Sequence, residues 1–251
     1  MAQPFEDWYK SIPIVTRIYM SACVVTSVFV YLDVINPLQL YLNFPIIFNK
    51  YEVWRLLTTF LFFDEIGLNF LFHIVRHSKM LEEGSFRGRA GDYLFMWIFG
   101  AVFLLIMNAF LFYTKIYTKI LFLAPSLAFM IVYIWSRRNP NMHISFLGLF
   151  TFSAPYLPWV ILGVSYLMDH SLAFDIMGIV VGHVYYYLED VYPQISNRRI
   201  LKTPSFIKQL FDNPNQRYED MAQQVRGRRP AEQQQQQQQQ QQEEVINDPV
   251  H

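Results

Sequence analysis

Apolar residues in this chain are gathered into long runs separated by short polar joints, and the joints decide what each run can become. Residues 18–32 follow Arg17 as an unbroken apolar run and predict a first transmembrane helix. Glu6 and Asp7 precede it and no small-residue cleavage site follows, so it reads as a signal anchor and not as a cleaved leader. The next stretch, 33–50, carries Pro37 and Pro45 and cannot be one straight span. With 51–63 it predicts an apolar but broken segment, re-entrant or interfacial, lying against the bundle. Trp54 suits the headgroup level there, and Arg55 either snorkels or pairs with a carbonyl. An aromatic-belt anchor and a substrate contact are both open for this pair.

A second span is expected at 67–75, although that run covers only roughly 14 Å of helix against a hydrocarbon core of about 30 Å. The third, 93–113, is uncharged and long enough to cross. The fourth, 120–135, contains Pro125 and Ser126 and ends at Arg137 and Arg138. The fifth, 144–168, has Pro155 and Pro158 near its middle and predicts a kinked helix. The sixth, 175–188, ends where the chain turns polar. Beyond it, Phe206, Ile207, Leu210 and Phe211 fall at helical spacing beside Lys202 and Lys208, as in a short amphipathic turn resting on a membrane. The Gln tract at 233–242 cannot bury enough apolar surface to order itself, which predicts a disordered tail.

The expected architecture is therefore an all-α polytopic membrane protein, six helices around one bundle with an embedded first loop. Residues 1–192 form the membrane domain and 193–251 the tail. Lys and Arg concentrate in the loop at 76–91, at Arg137/Arg138 and in the early tail, so the positive-inside rule places both termini in the cytosol.

Composition adds little to this except exclusions. Hydrophobic residues make up 53% and charged residues 16%, with a formal net charge of zero, so nothing points to nucleic acid. Cys23 is the single cysteine, which leaves neither a disulfide framework nor a thiolate cluster. His73 and His77 are four apart but lack the Glu of a His-Glu-x-x-His pattern, so no metal is expected. Asp64 and Glu65 are adjacent and diverge on a helix, which suits a solvated bend better than an acid/base pair.

In the sixth run Gly178 and Gly182 stand four apart and leave a bare strip flanked by Asp175 and His183. Such a strip is either a packing seam, the preferred reading, or the wall of a chemical site. A protease would need a serine beside His183, and the candidate is Ser126. It lies in Leu-Ala-Pro-Ser-Leu-Ala, without the glycines that free backbone donors for an oxyanion. Ser126 thus reads as a membrane serine bonded to its own helix, and His183 as a polar position in the bundle interior.

Several motifs in fixed order then point to a family. They are Trp54-Arg55, Met80-Leu-Glu-Glu-Gly-Ser-Phe-Arg-Gly-Arg89, Trp135-Ser-Arg-Arg-Asn-Pro140, Leu157-Pro-Trp-Val160, Gly178-x-x-x-Gly182-His183, Leu188-Glu-Asp-Val-Tyr-Pro193 and Arg199-Ile-Leu-Lys-Thr-Pro204. From about residue 8 to 212 the chain resembles the derlin family, in its derlin-two branch. The resemblance implies a rhomboid-like fold without protease activity, in the endoplasmic reticulum membrane and without a cofactor. It implies a part in ER-associated degradation, in which misfolded lumenal and membrane clients reach the cytosol with a membrane ubiquitin ligase and the valosin-containing AAA ATPase. A homo- or hetero-oligomer is compatible with it. Trp54, Arg55, Gly178 and Gly182 fall on positions the family needs for retrotranslocation. Three departures stand out: about three residues fewer before Met80, Asp64-Glu65 in place of a Gly-Pro turn, and a tail without the Phe/Gly-rich box by which some derlins recruit the ATPase.

Overall fold

Two of the apolar runs fold into helices long enough to cross a bilayer, and most of the remaining described chain is helical as well. The computed structural model describes residues 3–63, 76–115, 122–146, 150–168, 171–198 and 200–212. The expected second span at 67–75, with His73, Asp64 and Glu65, and the Gln tract lie outside the described residues.

After α1 (Gln3–Lys10), Pro13 opens α2 (Ile14–Tyr31), the first long helix. The broken segment that follows is built from short turns. Pro37 starts a 3-10 turn (Pro37–Gln39), and Pro45 sits in the first turn of α3 (Phe44–Lys50). At these positions a missing N–H leaves no orphan donor. Asn36 and Asn43 cap the two turns, accepting from the amides of Leu38 at 2.9 Å and Ile46 at 3.2 Å. Then comes α4 (Arg55–Thr58). Leu40, Leu42, Phe44, Ile47, Phe60 and Phe63 turn inward. Leu38, Phe48, Val53, Trp54 and Leu57 face outward, an apolar outer surface of the kind an embedded loop shows to lipid.

Residues 76–83 form α5 as far as it is described, and α6 (Ala90–Tyr113) is the second long helix. Next is α7 (Ala124–Arg138), opened by Pro125 in its first turn. All its residues from Ala124 to Ser136 are buried, as expected for a helix apolar on every side. It is the axis of the core.

The fifth run departs from the expected kinked helix, and with it the all-α description. Residues His143–Phe146 and Phe150–Ser153 pair as an antiparallel hairpin, β1 and β2, with His143 opposite Ser153. A 3-10 turn (Ala154–Tyr156) leads into α8 (Leu157–Leu167). Ile-Ser-Phe and Phe-Thr-Phe-Ser alternate with the period of a strand, and Pro155 and Pro158 occupy helix starts, where they break nothing.

The last run forms α9 (Leu172–Tyr186), continues without a break through a π turn (Tyr187–Val191) and ends in α10 (Tyr192–Ser196). The helix therefore reaches well past the apolar run. Asn197 stops it with a left-handed backbone at φ 55°, as Tyr51 stops α3 at φ 57°. The amphipathic turn is α11 (Ser205–Phe211), and it docks on the protein. Ile207 is buried, Asp212 accepts from the Gly91 amide at 2.7 Å, and Lys208 pairs with Asp92 at 3.1 Å. Only Phe206 and Leu210 are left for a membrane surface.

Candidate functional site

The glycine strip of α9 lies against α7. A methyl group added at Gly178 would stand 2.5 Å from the Ser126 carbonyl oxygen and 2.6 Å from Phe129 Cβ. One added at Gly182 would stand 3.0 Å from the Tyr133 ring. Contacts advance in the same direction on both helices, so α7 and α9 run parallel. Their far ends are tied as well: Arg138 Nε and Nη2 donate to the two carboxylate oxygens of Asp190 at 2.9 and 3.1 Å. The Arg138 guanidinium also lies 4.5 Å from the Phe86 ring centroid, joining the loop before α6 to the same corner.

His183 is not in the interior. Its ring is exposed at the edge of the seam, where Nδ1 meets the Tyr133 hydroxyl at 2.7 Å. Gly182 next to it takes the inward position, and a helix turns about 100° between neighbours. Ser126 is wholly buried, and its hydroxyl has no hydrogen-bond partner among the described residues. The expected bond to its own helix is absent because Ser126 stands in the first turn, beside Pro125, before the regular ladder of carbonyls begins. Tyr133 is seven residues further along α7, about 10 Å of rise, so Ser126 and His183 are not brought together as nucleophile and base. Asp175, one turn before Gly178, is buried.

Arg55 is almost fully buried, 5% exposed, and all its described contacts organise the first loop. Nε donates to Glu52 at 2.7 Å, and Nη1 donates to the carbonyls of Leu38 and Tyr41 at 2.9 and 3.1 Å. The Tyr41 ring centroid is 5.2 Å from its guanidinium. Trp54, its neighbour, is exposed on the outer face. The two halves of the Trp-Arg pair thus point to different environments.

What sequence reading missed is the join between this loop and α7. The Thr59 carbonyl accepts from the amides of Leu123 at 2.9 Å and Ala124 at 3.1 Å, at the start of α7, and its hydroxyl accepts from Leu123 at 3.2 Å. Thr58 donates to the Leu40 carbonyl at 3.1 Å, and Tyr19 in α2 to that of Phe60 at 2.8 Å. A threonine in an apolar run carries no obvious signal, but an unsatisfied helix start must find acceptors somewhere. The same demand explains Glu82. Its carboxylate accepts from the Val15 and Thr16 amides at 3.1 and 3.0 Å and from the Thr16 hydroxyl at 2.7 Å, capping α2 from another element. Burial nevertheless pushes the Glu82 carboxyl above its usual range, against the pull of these donors.

His77 packs edge-on against Trp135 at 4.8 Å, and among the described residues no group of metal-ligating side chains forms a site.

The family model for the Der1-like family matches residues 12–205, which contain every residue of the loop and the seam just described. The chain is 71% identical to a probable derlin-2 homolog of Dictyostelium discoideum over 219 residues, covering 86% of each. It is 52% identical to Derlin-2 of Oryza sativa subsp. japonica, covering 86% of this chain and 89% of that one. To Derlin-2.2 of Arabidopsis thaliana it is 50% identical, with 85% and 91% covered.

Proposed function

This chain belongs to the Der1-like (derlin) family, and from that premise we propose that it is a non-catalytic, rhomboid-like component of ER-associated degradation. It sits in the endoplasmic reticulum membrane with six spans and both termini cytosolic, and assists the passage of misfolded lumenal and membrane proteins to the cytosol. A membrane ubiquitin ligase and the valosin-containing AAA ATPase receive the client. One observation carries this reading. The family-marked residues occupy the two places that set the shape of the bundle, Arg55 within the first loop and Gly178/Gly182 between α7 and α9.

The geometry also supplies a physical route. The helix α8, 11 residues or about 16 Å, is much shorter than a hydrocarbon core of about 30 Å. A bilayer beside it thins, and the barrier to a polypeptide crossing there falls with the apolar thickness. The outward apolar face of the first loop lies in the same lipid.

The test replaces the protein in cells by Arg55→Ala or Gly182→Leu and follows turnover of a misfolded lumenal reporter. Slower disposal per copy of each variant is expected, with turnover normalised to the abundance of the variant. Unchanged turnover in both overturns the role given to these positions.

A further inference from the structure

The corner at which both long helices begin holds a half-open cleft of about 640 Å³, within the range of small-ligand sites. Ile14 of α2 and Ala90 of α6 both line it, so it lies at the depth where two spans enter the bilayer, the depth of lipid phosphates. Lys10, Arg17 and Arg87 bring cations to its wall, and Glu82 and Glu83 bring carboxylates. The carboxylates are already engaged. Both oxygens of Glu82 accept from the start of α2, and Glu83 lies 3.5 Å from Lys79.

Arg17 is different. Its guanidinium is held in place by donation from Nε to the Ile12 carbonyl at 3.0 Å and from Nη2 to the Lys10 carbonyl at 3.3 Å. The Tyr9 ring centroid is 5.7 Å from it, and among the described residues no ion pair to a carboxylate and no acceptor for Nη1 is found. A planar, fixed cation at headgroup depth matches the geometry of phosphate better than that of any neutral headgroup. The second cation on the same wall, Lys10, is paired with Glu6 at 2.5 Å, but that pair is exposed and its ammonium keeps two further hydrogens to donate. We propose that this cleft binds a phosphate monoester through Arg17 and Lys10, carried on an anionic lipid headgroup or on a free sugar phosphate.

The test uses the full-length protein and is read by binding alone, so its result does not depend on client disposal. In one arm, nanodiscs of phosphatidylcholine with a minor share of phosphatidylinositol 4-phosphate are analysed by native mass spectrometry for the lipid that stays with the protein. In the other, soluble inositol 1,4-bisphosphate is titrated against the protein in phosphatidylcholine alone. Retention of the phosphoinositide, weakened about tenfold in Arg17→Gln at an unchanged melting temperature, is expected for a lipid ligand. Binding of the soluble probe without lipid retention, with the same loss in Arg17→Gln, assigns the site to a free sugar phosphate. Lys10→Gln provides the second variant, with a smaller loss, should Arg17→Gln fail to fold. No preference over phosphatidylcholine together with no binding of the soluble probe overturns the proposal. So does binding that is equal in the wild type and both variants.

Discussion

The first loop and the α7/α9 seam are both internal joints, yet they are held by opposite means. The loop is held by donors aimed at carbonyls: Arg55 at Leu38 and Tyr41, Thr58 at Leu40. In the seam around Gly178 and Gly182, the packing comes from missing side chains that let one backbone approach another. One joint fails when atoms are taken away, and the other when atoms are added. The seam also distributes its stability over many weak contacts, whereas the loop places it on a few directed bonds.

The sharpest way to break the comparison is to add bulk to the seam. Gly178→Leu forces a side chain onto the Ser126 carbonyl, which is backbone and cannot turn aside, and destabilisation of about 3 kcal/mol or more is expected in equilibrium unfolding from detergent micelles. Arg55→Ala is the matching subtraction. It leaves two carbonyls and Glu52 without their donor, and about 2–3 kcal/mol is expected by the same measurement, with Arg55→Lys recovering part of it. Should Gly178→Ala and Arg55→Ala prove equally mild, the contrast between the joints collapses. Thr59→Val removes the hydroxyl, and with it one acceptor of the Leu123 amide, and keeps the carbonyl. A loss of about 1 kcal/mol is expected, seen as faster amide exchange at the start of α7.

The smallest effect is one of pH. Burial raises the Glu82 carboxyl above its ordinary value of 4.5, so the folded state holds that proton more tightly than the unfolded one. The resulting stabilisation is complete below the unfolded value and is lost as the pH rises through the folded one. A melting temperature that falls as the pH rises above 4.5, with a flatter slope in Glu82→Gln, is the expected outcome.

The joints differ in legibility as well. The prolines and asparagines of the first loop announce where its turns begin, since Pro37 and Pro45 are each preceded closely by a capping Asn. The sequence left Arg55 between lipid and carbonyl, and the structure shows carbonyls. The four-residue spacing of Gly178 and Gly182 announces a close approach but not which helix makes it. His183 was expected inside because polar groups at membrane depth avoid lipid, yet the inward position is taken by Gly182. The hairpin at 143–153 was hidden for another reason. Its residues are apolar enough to join the run that follows, and counting hydropathy along a run erases the two-residue alternation that marks a strand. Long-range caps such as Glu82 on α2 cannot be read from spacing, because 66 positions separate the partners and only the fold brings them together.

The parallel course of α7 and α9 has a consequence for how the protein is made. Tyr133 and His183 meet across 50 positions, because α8 must be laid down before α9 can return alongside α7. A ribosome adding about 5–20 residues per second needs several seconds to cover that interval. Throughout it, the face of α7 that will pack on Gly178 and Gly182 stands uncovered, with Arg138 awaiting its carboxylate. A chain stalled or cut between Arg138 and Asp175 would therefore display the same kind of unfinished surface that marks a membrane protein for disposal.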